Sequence, residues 1–384
     1  MQESLSVSVQ YIDTAEAMIA AGRHLCGHAI VALDLEADSM FHFSERICLI
    51  QAAAADGIYV IDPLAVSDIS PLQRVVEDPA IRKVLHGADY DVRCLYRDYG
   101  IRIRNLFDTE LAARFLGYAE TGLNALLRQH FGILLEKKFQ KKDWSQRPLP
   151  EEMTAYAADD VRYLIALHHR LESELAGKGR LEWVLEECEA LSRVQPEPMD
   201  ARPHFTRFKG AGRLDSRSLA VLEALLEMRM EKARQKNRPP FKIIGNAPLL
   251  QLARIRPPSM QKLKSLNILS RRQLSMYGSE ILSAIKAGVE LPAAELPRYP
   301  AHPRPTRSAK AASRMRRLKE WRRKEAGRLG IEPGVLLSNA QIRTLAENLP
   351  ASAEDPTALS GLRKWQSRAY GKQLLQILSQ KEGS

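Results

Sequence analysis

The 384-residue sequence predicts an α/β domain on a mixed sheet, followed by two all-α helical bundles, and three observations carry that expectation. Apolar runs joined by short connections between residues 30 and 61 read as an antiparallel meander of strands. Later strands are reached through helices, which reads as parallel crossovers. Two proline-rich breaks then divide the second half of the chain into helical stretches of domain size.

The expected strands are Ile30 to Glu36, Arg46 to Ala53, Gly57 to Ile61, Val84 to His86 and Asn105 to Phe107. Helices are expected after the Gly87 turn to about Tyr99, and from about Thr109, Leu123, Glu151 and Leu181. The prolines between Arg193 and Pro203 end the first half, and a richer run spans Leu291 to Pro305. The expected domains are 1–195, 208–290 and 312–381, with a linker at 291–311. No run approaches the length of a membrane span, and Met1-Gln2-Glu3-Ser4 begins no basic-then-apolar leader, so a cytoplasmic protein is expected. Cys26, Cys48, Cys94 and Cys188 show no paired metal spacing and read as reduced, buried thiols.

Three acidic motifs stand out. In Ile30-Val31-Ala32-Leu33-Asp34-Leu35-Glu36 the two acids sit at i and i+2 of a strand, so both carboxylates point to one face. Crowding two like charges there is costly unless a cation neutralises them. Taken alone, the better reading is two acids ending a strand at a solvated loop. Asp91 falls in the first turn of the helix after His86-Gly87-Ala88, where the helix dipole favours a carboxylate. Asp89 reads as an N-cap and His86 as a packed strand residue rather than a ligand. Tyr156 and Asp160 lie four apart on one helix face. Each motif singly admits a bland reading; their conjunction is what carries information.

Charge is divided unevenly. Residues 1–200 hold 21 Lys and Arg against 32 Asp and Glu, and residues 201–384 hold 36 against 14. The overall +11 is therefore the balance of an acidic half at −11 and a basic half at +22, which suits divalent metal in one and a polyanion at the other. The helical half also repeats: Arg271-x-Gln273-x3-Tyr277-Gly278 recurs as Lys364-x-Gln366-x3-Tyr370-Gly371, followed by amphipathic stretches Ile281 to Ala287 and Leu374 to Leu378.

The D-x-E strand, the H-G-A-x-x-D junction and the Y-x3-D helix together resemble the DEDD exonuclease superfamily, in its tyrosine-bearing branch. The histidine-bearing branch would place His five residues before Asp160, where Ala155 stands. Ile47-Cys48-Leu49-Ile50-Gln51, Leu106-Phe107-Asp108-Thr109 and Asp143-Trp144-Ser145-Gln146-Arg147-Pro148-Leu149 narrow the resemblance to the ribonuclease D family, and the repeats are similar to its HRDC module. The resemblance implies a ribonuclease H-like catalytic fold and a 3′→5′ exoribonuclease that releases 5′ nucleoside monophosphates. It implies two divalent ions, Mg²⁺ or Mn²⁺, one held by Asp34, Glu36 and Asp160 and the other by Asp34 and Asp91, with Tyr156 beside the attacking water. The implied partner is RNA with a single-stranded 3′ end, tRNA precursors among them, with no obligate protein partner.

Substrate contacts are expected from His86 and Lys141. Trp144 either stacks a base or anchors its loop. Family members carry a bulky wedge after the acid pair, whereas Ala37 stands here, which leaves Met40 or Phe41 for that role. A DNA exonuclease and a non-catalytic nucleic-acid scaffold are the alternative functions.

Overall fold

The computed structural model describes residues 8–196, 202–300, 308–348 and 359–379. The chain opens with β1 (Val9–Ile12), α1 (Ala15–Cys26), β2 (Ile30–Ala37), β3 (Ile47–Ala53) and β4 (Ile58–Ile61). It continues through α2 (Ser70–Glu77), β5 (Arg82–Leu85), α3 (Asp89–Tyr99), β6 (Leu106–Asp108) and α4 (Thr109–Leu116). Helices α5 (Leu123–Phe131), α6 (Glu151–Arg162), α7 (Leu164–Gly177) and α8 (Leu181–Ser192) complete this part. The strands form one mixed sheet in the order β1-β4-β3-β2-β5-β6. β2, β3 and β4 are antiparallel neighbours, while β5 and β6 extend the sheet parallel to β2, as expected.

Two elements depart from expectation. The sequence reading has no strand before Ile30, yet β1 pairs in parallel with β4 at the sheet edge. It runs only four residues, from exposed Val9 to buried Ile12, too few for alternation to stand out. The single helix expected after Pro150 is two, α6 and α7, which meet at Tyr163.

Local chemistry explains the junctions that matter. Gly87, between β5 and α3, adopts φ +71°, and a Cβ there would lie 2.8 Å from Glu110 Oε2, so only glycine makes this turn without strain. Asp108, 3% exposed, pins the same turn: its carboxylate accepts N–H bonds from Gly87 and Ala88 at 3.0 and 2.9 Å, and from Glu110 and Leu111 at the start of α4. Asp89 is not the cap of α3 but its first residue, with Ala88 at the cap position, and it forks with Arg93 on the solvated side.

The Asp143–Leu149 motif folds as a clamp. The Arg147 guanidinium donates to both oxygens of Asp62, at 2.5 and 2.7 Å, and to the carbonyls of Cys48 and Trp144 at 2.8 Å. Tyr11 of β1 donates to the same carboxylate at 2.6 Å. Burial would raise the Asp62 pKa, but these hydrogen bonds and the guanidinium charge bring it below the usual carboxylate range. Of the cysteines, Cys48, Cys94 and Cys188 are buried as expected; Cys26, at the end of α1, is exposed, which corrects that reading.

Two compact units emerge. One contains residues 38–46 and the described residues from 202 to 300. In it α9 (Ser216–Gln235), α10 (Pro240–Ile243), α11 (Asn246–Ile255), α12 (Met260–Ser265) and α13 (Arg271–Glu290) pack around Leu222, Leu225, Ile281 and Ile285. Its packed residues extend past the expected 208–290: Phe205 is 2% exposed, and the Tyr299 hydroxyl donates to the Thr206 carbonyl. Phe43 joins the same core.

The second bundle, α14 (Ala309–Leu329), α15 (Pro333–Leu336), α16 (Asn339–Glu347) and α17 (Lys364–Ser379), belongs instead to the unit that holds the sheet. Here the tie is dense. Trp365 stacks on Trp183 of α8 at 4.6 Å and donates its indole N–H to Glu187. Glu186 accepts the backbone N–H groups of Lys364 and Trp365, capping α17 from α8. Arg180 bridges the carbonyls of Phe115 and Leu329, both at 2.7 Å. Gly117, φ +89°, lies so close to Gly330 that a Cβ would fall 1.9 Å from its carbonyl oxygen.

Corresponding positions confirm the internal repeat. Gln273 donates to the carbonyl of Ile243 at the end of α10, and Gln366 to that of Leu336 at the end of α15. Arg229 contacts Ile244 and Asn246; Arg322 contacts Leu337 and Asn339. The repeated motif lies within α13 and α17 themselves, one continuous helix in each copy, rather than ahead of a separate amphipathic helix.

Replacing Arg147 by Ala leaves the buried Asp62 carboxylate without its cation. We expect a loss of about 3 kcal/mol in the stability of the sheet-bearing unit, read as a lowered first transition in thermal or urea unfolding.

Candidate active site

The D-x-E strand becomes β2, and both acids fall in its C-terminal half, facing α6. β5 delivers His86 and the Gly87 turn at the same end of the sheet, because it runs parallel to β2. Asp91 enters from the first turn of α3, and Tyr156 and Asp160 from successive turns of α6.

The four acids act on one another. Burial is the largest influence on each, and raises every one. Asp34 is pushed well above the usual carboxylate range, with Asp91 the next cause. Glu36 is pushed up to about 9 by burial and then by the charges of Asp34, Asp160 and Asp91. Asp160 rises to about 8, with Asp34 next, and Asp91 to about 7, with Asp108 next. Among the described residues, no cation is among the groups that shift these four acids. The Tyr156 phenol is raised too, by burial and then by Asp160, Glu36 and Asp34, so it keeps its proton.

These side chains face a hollow of about 760 Å³ lined by Asp34, Glu36, His86, Tyr156 and Asp160, with Lys137 and Lys141 also on its wall. Asp91 acts on the cluster from behind that lining. His86 Nδ1 lies 2.9 Å from the Thr109 hydroxyl, which itself donates to the Leu85 carbonyl at 3.0 Å. The hydroxyl proton is thus spent, so His86 carries its own on Nδ1 and leaves Nε2 as an acceptor. Burial lowers the His86 pKa and keeps the ring neutral.

Trp144 takes the anchoring role of the two left open. It is 1% exposed, packed 6.1 Å from the Tyr156 ring, and has no face to offer a base. Lys138 is paired with Glu152 at 2.8 Å, whereas Lys137 and Lys141 reach the hollow. Of the two wedge candidates, Met40 is half exposed and Phe41 lies under Lys242, both in the unit of the first bundle.

Sequence reasoning overlooked five residues at the site: Asp108, Thr121, Gly122, Asn124 and Gln51. Asp108 fixes the turn that aims α3. Thr121, Gly122 and Asn124 line the hollow at the N-terminus of α5, whose cap position, Gly122, provides no side-chain bond. Asn124 also ties down Leu135 through two hydrogen bonds, holding the lysine loop. Gln51, directly across from Asp34 in the ladder and wholly buried, has no hydrogen bond to either amide atom.

Clustered carboxylates raised by one another, with an unpaired amide beside them, fit hard divalent cations and oxygen ligation.

Comparison with known proteins agrees with this geometry. A 3′-5′ exonuclease family matches residues 9–176, and the HRDC domain matches residues 218–285 and 311–378. A ribonuclease D of Pseudomonas paraeruginosa is 31% identical over 91% of this chain and 92% of its own length. The crystal structure of Escherichia coli RNase D, described as an exoribonuclease involved in structured RNA processing, superposes with TM-score 0.71 at 25% identity, covering 97% of this chain and 98% of its own. The catalytic core of RRP6 from Trypanosoma brucei gives TM-score 0.66 at 28% identity, over 75% and 81% of the two chains. With an exonuclease fold, tandem HRDC bundles and relatives matched along nearly their whole length, the chain belongs to the ribonuclease D family and is a 3′→5′ exoribonuclease acting on RNA.

Proposed function

We propose that the enzyme removes nucleotides one at a time from the 3′ ends of structured RNA, tRNA precursors among them, in the cytoplasm, releasing 5′ nucleoside monophosphates. The observation that carries this reading is the convergence of Asp34, Glu36 and Asp160 with a protonated Tyr156 on one hollow, with Asp91 acting on them from behind its lining. Catalytic domain boundaries near residue 195, and bundles at about 208–290 and 312–381, accompany it.

Two divalent ions, Mg²⁺ or Mn²⁺, would be held by Asp34, Glu36 and Asp160, and by Asp34 with Asp91. When bound, they supply positive charge that activates water and stabilises the departing 3′ oxygen. The chain's own groups do the rest. Tyr156 keeps its phenolic proton and hydrogen-bonds the attacking water, aiming it at the terminal phosphorus. Neutral His86 presents an acceptor to a hydroxyl of the terminal ribose. Lys137, Lys141 and the uncapped N-terminus of α5 favour the phosphates on either side of the cut. Trp144 and Arg147 hold the lysine loop against the sheet.

Replacing Asp34 by Asn abolishes cleavage of a 5′-labelled RNA oligomer with the fold intact, and Tyr156→Phe lowers kcat about 100-fold or more with little change in KM. An Mg²⁺-dependent ladder on RNA but not on matched DNA supports the RNA reading; full nuclease activity in Asp34→Asn refutes the site assignment.

The raised carboxylates also fix the pH response of the metal-free protein. An acid raised in the fold favours the folded state at low pH, and that contribution is lost as pH climbs through the folded pKa, here about 7 to 9. In EDTA the thermal midpoint should therefore fall as the pH is raised from about 5 to about 9. Asp160→Asn should flatten this fall, and divalent ions should reverse it.

A further inference from the structure

A second set of metal-ligand side chains lies at the opposite end of the sheet from the acids. His24 ends the last turn of α1, His28 follows four residues later just before β2, and Asp56 occupies the turn between β3 and β4. Because Ala53 pairs with Ala32 while Gln51 pairs with Asp34, that turn is carried away from the catalytic hollow. One ligand atom from each of the three residues lies within 4.8 Å of the others.

The separations are the informative part. His24 Nε2 is 3.3 Å from Asp56 Oδ2, and His28 Nε2 is 3.2 Å from Asp56 Oδ1. Charge-assisted N–H···O contacts close to about 2.7–2.9 Å, as between Arg82 and Glu172 at 2.6 Å and Lys138 and Glu152 at 2.8 Å, while the histidine–carboxylate pairs His168–Glu172 and His130–Glu174 stand at 3.5 and 3.9 Å. A tetrahedral ion with ligand bonds of about 2.0–2.1 Å holds its ligand atoms about 3.3–3.4 Å apart, and the two histidine–aspartate separations, one to each oxygen of Asp56, are close to that value.

The outer support is present as well. His24 Nδ1 lies 2.9 Å from the Tyr59 hydroxyl, and Tyr59 is buried, so the ring is held from behind with Nε2 turned towards Asp56. Metal-bound imidazoles are oriented in this way, by a partner on the remote nitrogen. The three ligand side chains are partly exposed, at 37%, 24% and 62%, which leaves the remaining coordination position open to water. A second grouping, His168, His169 and Glu172, lacks these properties: Arg82 already neutralises Glu172, and its cation disfavours another.

We propose that His24, His28 and Asp56 form a second metal site, selective for a borderline transition-metal ion of the zinc class rather than for the Mg²⁺ suited to the all-carboxylate cluster. Bound there, the ion ties the end of α1 to the β3–β4 turn.

Co²⁺ is the probe, because a tetrahedral Co²⁺ centre absorbs visibly where an octahedral one barely does. The full-length protein carries Asp34→Asn and Asp160→Asn so that the catalytic acids do not compete. We expect visible absorption on adding Co²⁺, bleached by Zn²⁺ and unaffected by Mg²⁺. It should persist in Cys26→Ser, which removes the nearby exposed thiol, and disappear in His28→Ala. Tyr59→Phe should weaken Zn²⁺ binding about tenfold. Equal thermal midpoints in EDTA separate loss of the site from loss of the fold. Absence of absorption in the parent, its persistence in His28→Ala, or its loss in Cys26→Ser alone would overturn the proposal.

Discussion

Repulsion among carboxylates gathered at one end of the sheet is the constraint that the catalytic unit is built to bear. β2 and α6 bring Asp34, Glu36 and Asp160 together and α3 adds Asp91; burial raises the proton affinity of all four, Asp34 adds to that of Glu36 and Asp160, and Asp91 to that of Asp34 and Glu36. Such an arrangement persists because rigid surroundings hold it: Asp108 ties the turn before α3 to the start of α4 with two backbone bonds to each, and Arg147 braces the loop beside Tyr156 through Asp62. The frame thus holds these acids where burial favours the protonated over the charged form.

Much of this was legible in the chain. The i, i+2 spacing of Asp34 and Glu36 and the i, i+4 spacing of Tyr156 and Asp160 fix shared faces whatever the tertiary context, and both pairs reach the same hollow. What stayed hidden depends on long-range pairing. β1 is a strand because β4 accepts it at the edge, and its four residues carry little pattern of their own. Trp144 looked as ready to stack a base as to anchor a loop, since aromatic residues in basic loops do both; its burial depends on packing against α6 that no local spacing encodes. Asp108 gave no sign of its role, because four donors converge on it from two separate turns.

The two helical bundles share an interior and differ in their surroundings. Gln273 and Gln366 make the same bond to the same relative carbonyl, as do Arg229 and Arg322, so the repeat is preserved where each bundle closes upon itself. The first bundle instead has the 38–46 loop that follows the acid-bearing strand as part of its own unit, with Phe43 in its core. The basic charge of the C-terminal half is thus spread over one bundle that stands as its own unit and one that is fused to the catalytic sheet.

That fusion limits how the second copy can be rearranged. Its last helix begins with amide groups neutralised by Glu186, a residue some 180 positions upstream in another fold. Transplanted elsewhere, the module would start that helix without an anion, and the nuclease left behind would bare the indole of Trp183 to solvent. A duplicated, self-contained bundle has in this way become an organ of its neighbour, and neither part is any longer freely exchangeable.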